Sequence, residues 1–436
     1  MARAAPDPAH TELLVRLAAE LVTSGRTREA LEVLEAAARL PATAGTSARL
    51  ALARGDALLA RQRLGEARAA IDAARTFADA AGDADVQREV ALAHADLALS
   101  AGVAWAPELR SFVIAMGQAH HLRAMMLVAE LLLREGRPAE ARAWAEAVRT
   151  APSAHVLAGS RARGVEVACL LEDGQVAAAR TAARELGAQH RAEGRLGAAC
   201  AAVALEADAC ERSGDLGGAH EALAALESVA RGNADAWGAA LLGIARARVA
   251  TAGGDTSRAE VWLRTHAAAG AQGSPWSVRR GWLVAQAELR EALGDAPSAL
   301  AAHLRVADAA SGAGEVSLAA FHRGVAAVYS ARAEGPAEAL GVLQSLGNRR
   351  SQARLLLVGG RVGRDRELLA MAASLLRDLG DSLRLLEALL VLGGAAERTE
   401  ARAIVSATAR GLHGPFRAAF EAQRACRWAR TADDVA

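Results

Sequence analysis

The sequence contains no lysine. All 51 Lys and Arg residues are arginine, against 50 Asp and Glu, and the formal net charge is +1. Charges that cancel so closely build no global field to recruit nucleic acid, so no direct nucleic-acid partner is expected. The exclusive use of Arg reflects GC-rich coding, and it suits pairing with carboxylates. Aromatic residues are only 3% of the chain. With β-branched residues also scarce, propensity favours helix almost everywhere and predicts no sheet. The four cysteines, Cys169, Cys200, Cys210 and Cys426, form no CxxC and no Cys/His pair at zinc spacing. That pattern argues against a disulfide framework or structural metal and reads as buried small hydrophobes. No apolar run of about 18 residues escapes interruption by Arg, Glu or Asp, so no membrane span is expected. The opening stretch, "MARAAPDPAHTELLVRLAAE", has two prolines and an amphipathic helix where a secretory signal would need an unbroken apolar segment. A cytoplasmic protein is predicted.

Motifs for chemistry are missing as well. His120 and His121 in "AHHLRAMM" come without HExxH or a carboxylate at helical ligand spacing, and read as surface or capping residues. The Gly-rich "VGGRVGRDRE" lacks the Lys-Ser/Thr ending of a phosphate loop, and no GxSxG occurs. These absences predict a protein that is not an enzyme, with no catalytic residue, cofactor or metal.

What the chain has in excess is alanine, and it recurs in step. Taking Gly214 in "ERSGDLGGAHEALAALESVARG" as a turn, the same role falls to Gly25, Gln62, Gly102, Gly136, Gly174, Gly254, Gly294, Glu334 and Gly363, with four successive intervals of 40 from Gly174 to Glu334. Seven residues before the turns stand Ala18, Gly55, Ala95, Ala129, Val167, Ala207, Ala247, Ala287, Ala327 and Leu356. Five residues after them stand Ala30, Ala67, Pro107, Ala141, Ala179, Ala219, Ala259, Ala299, Ala339 and Leu368. Two antiparallel helices joined by a short turn approach to the near end of the usual 8–10 Å only where the crossing side chains are small. Larger residues nine positions past the turn, Leu34, Ile71, Leu223, Leu263 and Leu343, would face the following hairpin.

Small residue, turn and Ala, followed by a large apolar residue, in "AELVTSGRTREALEVLEAAA", "AELLLREGRPAEARAWAEAV" and "AELREALGDAPSALAAHL", resemble the tetratricopeptide repeat. The repeats run mostly to 40 residues rather than 34, which resembles the long-repeat sensor domains of bacterial regulators of the MalT and Rap types. The resemblance implies an all-α, right-handed superhelical solenoid of about ten to eleven hairpins over residues 1–410, with residues 411–436 forming a C-terminal capping helix and tail. In that last segment Phe416, Phe420 and Trp428 sit among Arg417, Arg424, Arg427 and Arg430. Pro107 should begin its helix, with a local bend expected near residues 101–120 and Trp105 and Phe112 over the junction.

The family's inward positions, carried onto this sequence, fall on Arg123, Glu130, Arg161, Asp208, Arg248, Glu288 and Phe321. They imply a groove of mixed charge for a protein or peptide partner. The Lys and Asn clamp of chaperone-binding members is missing, since the chain has no Lys and only Asn233 and Asn348. The expected function is a non-enzymatic scaffold or adaptor in bacterial signalling. A ligand-responsive sensor for a short peptide or small molecule is the alternative.

Overall fold

The computed structural model describes residues 8–152, 155–233, 236–332 and 334–430. Ala, Leu, Arg and Glu are strong helix formers, and the described residues form 24 α-helices and one 3-10 turn, with no strand among them. Successive helices pair into hairpins. The first joins Pro8–Thr23 to Thr27–Ala37 and the last joins Ser382–Leu392 to Ala395–Arg410, before two short helices, Gly414–Glu421 and Arg424–Arg430. No described helix is long and apolar enough to cross a membrane.

Eight of the expected turn residues, Gly25, Gln62, Gly102, Gly136, Gly174, Gly214, Gly254 and Gly294, take left-handed φ angles between +57° and +82°. That conformation lets the chain cap the helix it leaves. At the Gly214 turn, the Gly214 N–H donates to the Glu211 carbonyl at 3.1 Å and the Asp215 N–H to the Cys210 carbonyl at 2.8 Å. Two expected turns are corrected. Ala331 and Arg364, each at φ +54°, hold the left-handed positions instead of Glu334 and Gly363. Glu334 immediately precedes the helix Gly335–Ser345, and Gly363 is the last residue of Arg349–Gly363. A left-handed Ala costs about 1–2 kcal/mol, partly offset in a comparison with Gly by the greater freedom of Gly when unfolded. Ala331→Gly should therefore stabilise the protein by about 0.5–1 kcal/mol, read as a higher urea midpoint. An unchanged or lower midpoint would count against a strained cap.

The small residues flanking the turns are where close packing requires them. Ala18, Ala95, Ala207, Ala247 and Ala287 are buried, as are Ala30, Ala67, Ala219, Ala259 and Ala299. Within the hairpin of Ala44–Ala60 and Leu64–Ala81 the approach is tight enough that a Cβ on Gly55 would lie 2.7 Å from Ile71 Cγ1. The large side chains nine residues past the turns, and Leu343 twelve past Ala331, fill the seams between hairpins. Leu34 packs with Ala53, Ile71 with Val86 and Val90, Leu223 with Leu242 and Val249, and Leu343 with Leu355 and Val358. All four cysteines are buried.

The chain divides into two compact units: a first of Met1–Leu131, Arg142–Arg163 and Gln272–Ser277, and a second of Leu132–Ala141, Gly164–Ala271 and Val278–Ala436. In the first unit, Pro107 begins its helix, and the Trp105 indole donates to the Ala95 carbonyl at 3.0 Å. Trp276 is buried against Gly102, where a Cβ would lie 2.7 Å from the indole.

In the second unit the hairpin turns rest on segments far along the chain. A Cβ on Gly136 would lie 2.7 Å from Ser317 Cβ, one on Gly174 2.8 Å from Leu379 Cα, one on Gly214 2.8 Å from Thr408 Oγ1, and one on Gly254 2.8 Å from Gln423 Cγ. The Gln423 amide also donates to the Ala252 carbonyl at 3.0 Å. Phe420 and Cys426 are buried in the same core as Leu216 and Leu412, so the two terminal helices close this unit. Phe416 lies against His220 and under Arg258, while Trp428 lies under Arg398. The Arg424 and Arg430 side chains and residues 431–436 lie outside the described residues.

Candidate ligand-binding wall

The repeat places one side chain per hairpin six residues before the turn, on the first helix. In the first unit this position holds Asp56, Asp96 and Glu130, and in the second Asp208, Arg248 and Glu288. A helix turned by the same amount at each repeat brings these positions onto one face. The charges there therefore meet each other.

In the first unit they form a ladder. Arg123 donates to both Asp56 oxygens at 2.7 and 3.1 Å and reaches Asp96 at 3.7 Å. Arg161 donates to both Asp96 oxygens at 2.9 and 3.1 Å and to Glu130 at 2.8 and 3.0 Å. Each Arg thus spans carboxylates on two earlier helices, Arg161 through paired hydrogen bonds to both and Arg123 through paired bonds to Asp56 and an ion pair with Asp96. Burial works against the Arg161 charge, but Asp96 and Glu130 outweigh it and hold the guanidinium firmly protonated. Burial pushes the Asp56 carboxyl up despite Arg123, with Asp96 and Glu89 adding repulsion. Glu89 in turn accepts from His121 Nε2 at 2.8 Å, beside a shallow cleft of about 690 Å³ floored by Leu52, Val86 and Met116. Arg161, Asp56 and Glu130 stay within reach of solvent, with side-chain exposures of 31%, 26% and 25%, while Asp96 is buried.

In the second unit the equivalent charges meet more partners, and Glu288 is more deeply buried than any ladder residue although Arg248, at 21%, is as exposed as Arg123. Asp208 accepts from Arg212 at 2.6 Å and Arg248 at 2.9 Å, and Arg248 donates from Nε to Glu288 at 3.2 Å. Glu288 also accepts from Arg354 at 3.0 Å and lies 3.8 Å from Arg384. Arg350 stands 3.9 Å from Asp208 and 3.8 Å from Glu172. Burial opposes the Glu288 charge, but Arg248, Arg354, Arg384 and Arg350 outweigh it and hold the carboxyl well below the usual range. Asp208 is held low in the same way by Arg212, Arg248 and Arg350. Glu288 is 4% exposed and Arg212 5%, which leaves little surface for a partner to touch.

The structure thus joins Arg123, Glu130 and Arg161 in one network and Asp208, Arg248 and Glu288 in another. Phe321 is buried, with the Arg354 guanidinium 4.9 Å from its ring, in a cluster with Val325, Leu355 and Val358. Asp56 and Asp96 were missed from the sequence although they hold the register of Glu130 and Asp208. Arg350, Arg354 and Arg384 had no such signal, since their partners lie far along the chain and the period has already shortened.

No protein-family model matches the chain, and no curated protein matches it by sequence. Among solved structures it is similar to that of a Rap protein complexed with competence and sporulation factor. The identity is 13% and the TM-score 0.59, with 81% of this chain and 99% of that chain covered. The chain therefore has the all-α helical-repeat fold of that Rap protein, the long-repeat class that its sequence resembles.

Proposed function

We propose that the protein is a non-catalytic cytoplasmic binder of an extended peptide or protein segment in bacterial signalling, and that it uses the ladder of the first unit. Arg123, Arg161, Glu130, Asp56 and Asp96 would exchange some of their mutual pairs for backbone and side-chain groups of the ligand. The carrying observation is that these charges recur in register and that Arg161, Asp56 and Glu130 are more solvent-reachable than Asp208, Arg248 and Glu288, their counterparts in the second unit. Mixed charge favours a ligand carrying both signs, since each partner group then meets its complement. The similar Rap protein was solved with competence and sporulation factor, which supports a small peptide ligand and the sensor form of this reading.

Thermal melting with size-separated extract fractions from the native host tests it. A peptide held at about 100 times its Kd should stabilise the protein by about 2.7 kcal/mol. Stabilisation by the peptide-sized fraction favours the sensor, and stabilisation by the protein-sized fraction favours the scaffold. Glu130→Gln and Arg161→Ala should each weaken the response while helical circular dichroism is retained. Full response in both variants, or none to either fraction in the parent, would reject the ladder as the ligand wall.

A further inference from the structure

A second constellation lies wholly inside the second unit and plays no part in the binding reading. His303, on helix Ala296–Gly312, and His322, on Val316–Tyr329, are both buried, with their Nδ1 atoms 2.6 Å apart. At that separation one nitrogen must donate and the other accept. Glu291 faces the outer nitrogen of His303. Its carboxylate lies 3.5 Å from His303 Nε2, accepts from the Tyr329 hydroxyl at 3.2 Å, and stands 3.9 Å from Arg361. Burial raises the cost of its charge, but His303 and the nearby Arg361 and Arg354 outweigh it and hold the carboxyl down to about 2. His322 Nε2 is buried and without a hydrogen-bond partner among the described residues.

Every helix around the pair bears on what a further proton would do. Helix Trp276–Ala292 presents Glu288 and Glu291, and Arg349–Gly363 presents Arg354 and Arg361. Val316–Tyr329 itself adds Tyr329 and Phe321, whose ring meets His322 edge-on, and Gly335–Ser345 packs with the apolar Ala339 and Leu343. Neither carboxylate accepts from His322 Nε2, which has no hydrogen-bond partner among the described residues. A proton added there would meet burial and the Arg354 charge with no acceptor in compensation.

We propose that the seam between helices Ala296–Gly312 and Val316–Tyr329 is an acid-triggered release, opened when the buried His322 takes up a proton for which the seam holds no acceptor. Burial, then His303 and Arg354, hold the His322 imidazole well below its ordinary range. The sign follows. A His with a depressed folded pKa costs nothing above about pH 6.5, and the opened form gains protons, hence population, as pH falls below that value.

Hydrogen exchange of the full chain, corrected for intrinsic rates, reads the opening. One imidazole that titrates only in the open form should raise opening of residues 296–329 about tenfold between pH 7.5 and 5.5. His322→Gln keeps a donor toward His303 but cannot titrate there, and should abolish that increment while helix Ala44–Ala60 of the first unit behaves alike in both proteins. Equal pH sensitivity of residues 296–329 in parent and variant would overturn the proposal. Should the variant fail to fold, imidazole nitrogen shifts of the parent decide. His322 neutral at pH 5.5 upholds the release, and ordinary titration near pH 6.5 in the folded chain removes it.

Discussion

Replacing Arg248 with Met should cost the protein about 3–5 kcal/mol at pH 7, because it removes one partner of a buried network and leaves the carboxylates behind. Arg248 lies 2.9 Å from Asp208, 3.4 Å from Glu211 and 3.2 Å from Glu288, and all three acids are nearly inaccessible to water. Met preserves most of the packing volume, so the loss measures the uncompensated charge. The pH dependence carries its own sign. Asp208 and Glu288 have depressed folded values in the parent, so the stability they contribute is present above about pH 4 and lost as pH falls. In the variant those carboxyls are held less firmly, and the gap between the two proteins should narrow toward pH 4. Urea unfolding followed by tryptophan fluorescence at pH 7 and pH 4 checks both statements. A deficit under about 1 kcal/mol at neutral pH would mean that the network contributes little to the fold.

The second large effect separates two costs that a turn glycine can avoid. Gly174 and Gly294 have nearly the same conformation, φ +75° and +72°. A Cβ on Gly294 would meet nothing within 4 Å, whereas one on Gly174 would lie 2.8 Å from the Leu379 backbone. Gly294→Ala should lose about 1 kcal/mol, the conformational cost alone. Gly174→Ala should lose about 2–4 kcal/mol, since backbone on the far side must also move. Denaturant midpoints of the two variants give the comparison directly, and equal losses would show that the turn does not rest on Leu379.

How much of this could be read from residues alone depends on distance along the chain. Ala207 with Ala219 and Leu223 with Leu242 are relations between adjacent helices, and the repeat length encodes them. The same holds for the turns, except where the period shortens. A search for Gly or a turn former settled on Glu334 and Gly363, while the backbone tolerated Ala331 and Arg364 at the left-handed position. For the candidate site, the residues six before each turn were legible as a set, and Asp56 and Asp96 belong to it on the same grounds. Their pairing was not legible. Which Arg reaches which carboxylate depends on the rotation per repeat, which no spacing states. Arg354 with Glu288 depends on that rotation together with the shortened period near Ala331, whereas His303 with His322 repeats the register of Leu223 with Leu242.

The docking of Gly174 on Leu379 bears on synthesis. A ribosome adding about 5–20 residues per second needs roughly 10–40 s to travel between those two positions. Over that interval the nascent middle hairpins have their local seams, yet their turns and the acids Asp208 and Glu288 still face water. Final consolidation waits for the last hairpins to emerge, so the second unit matures as a whole, unlike a strictly nearest-neighbour stack, and its early portion is the part most exposed to chaperones and proteases.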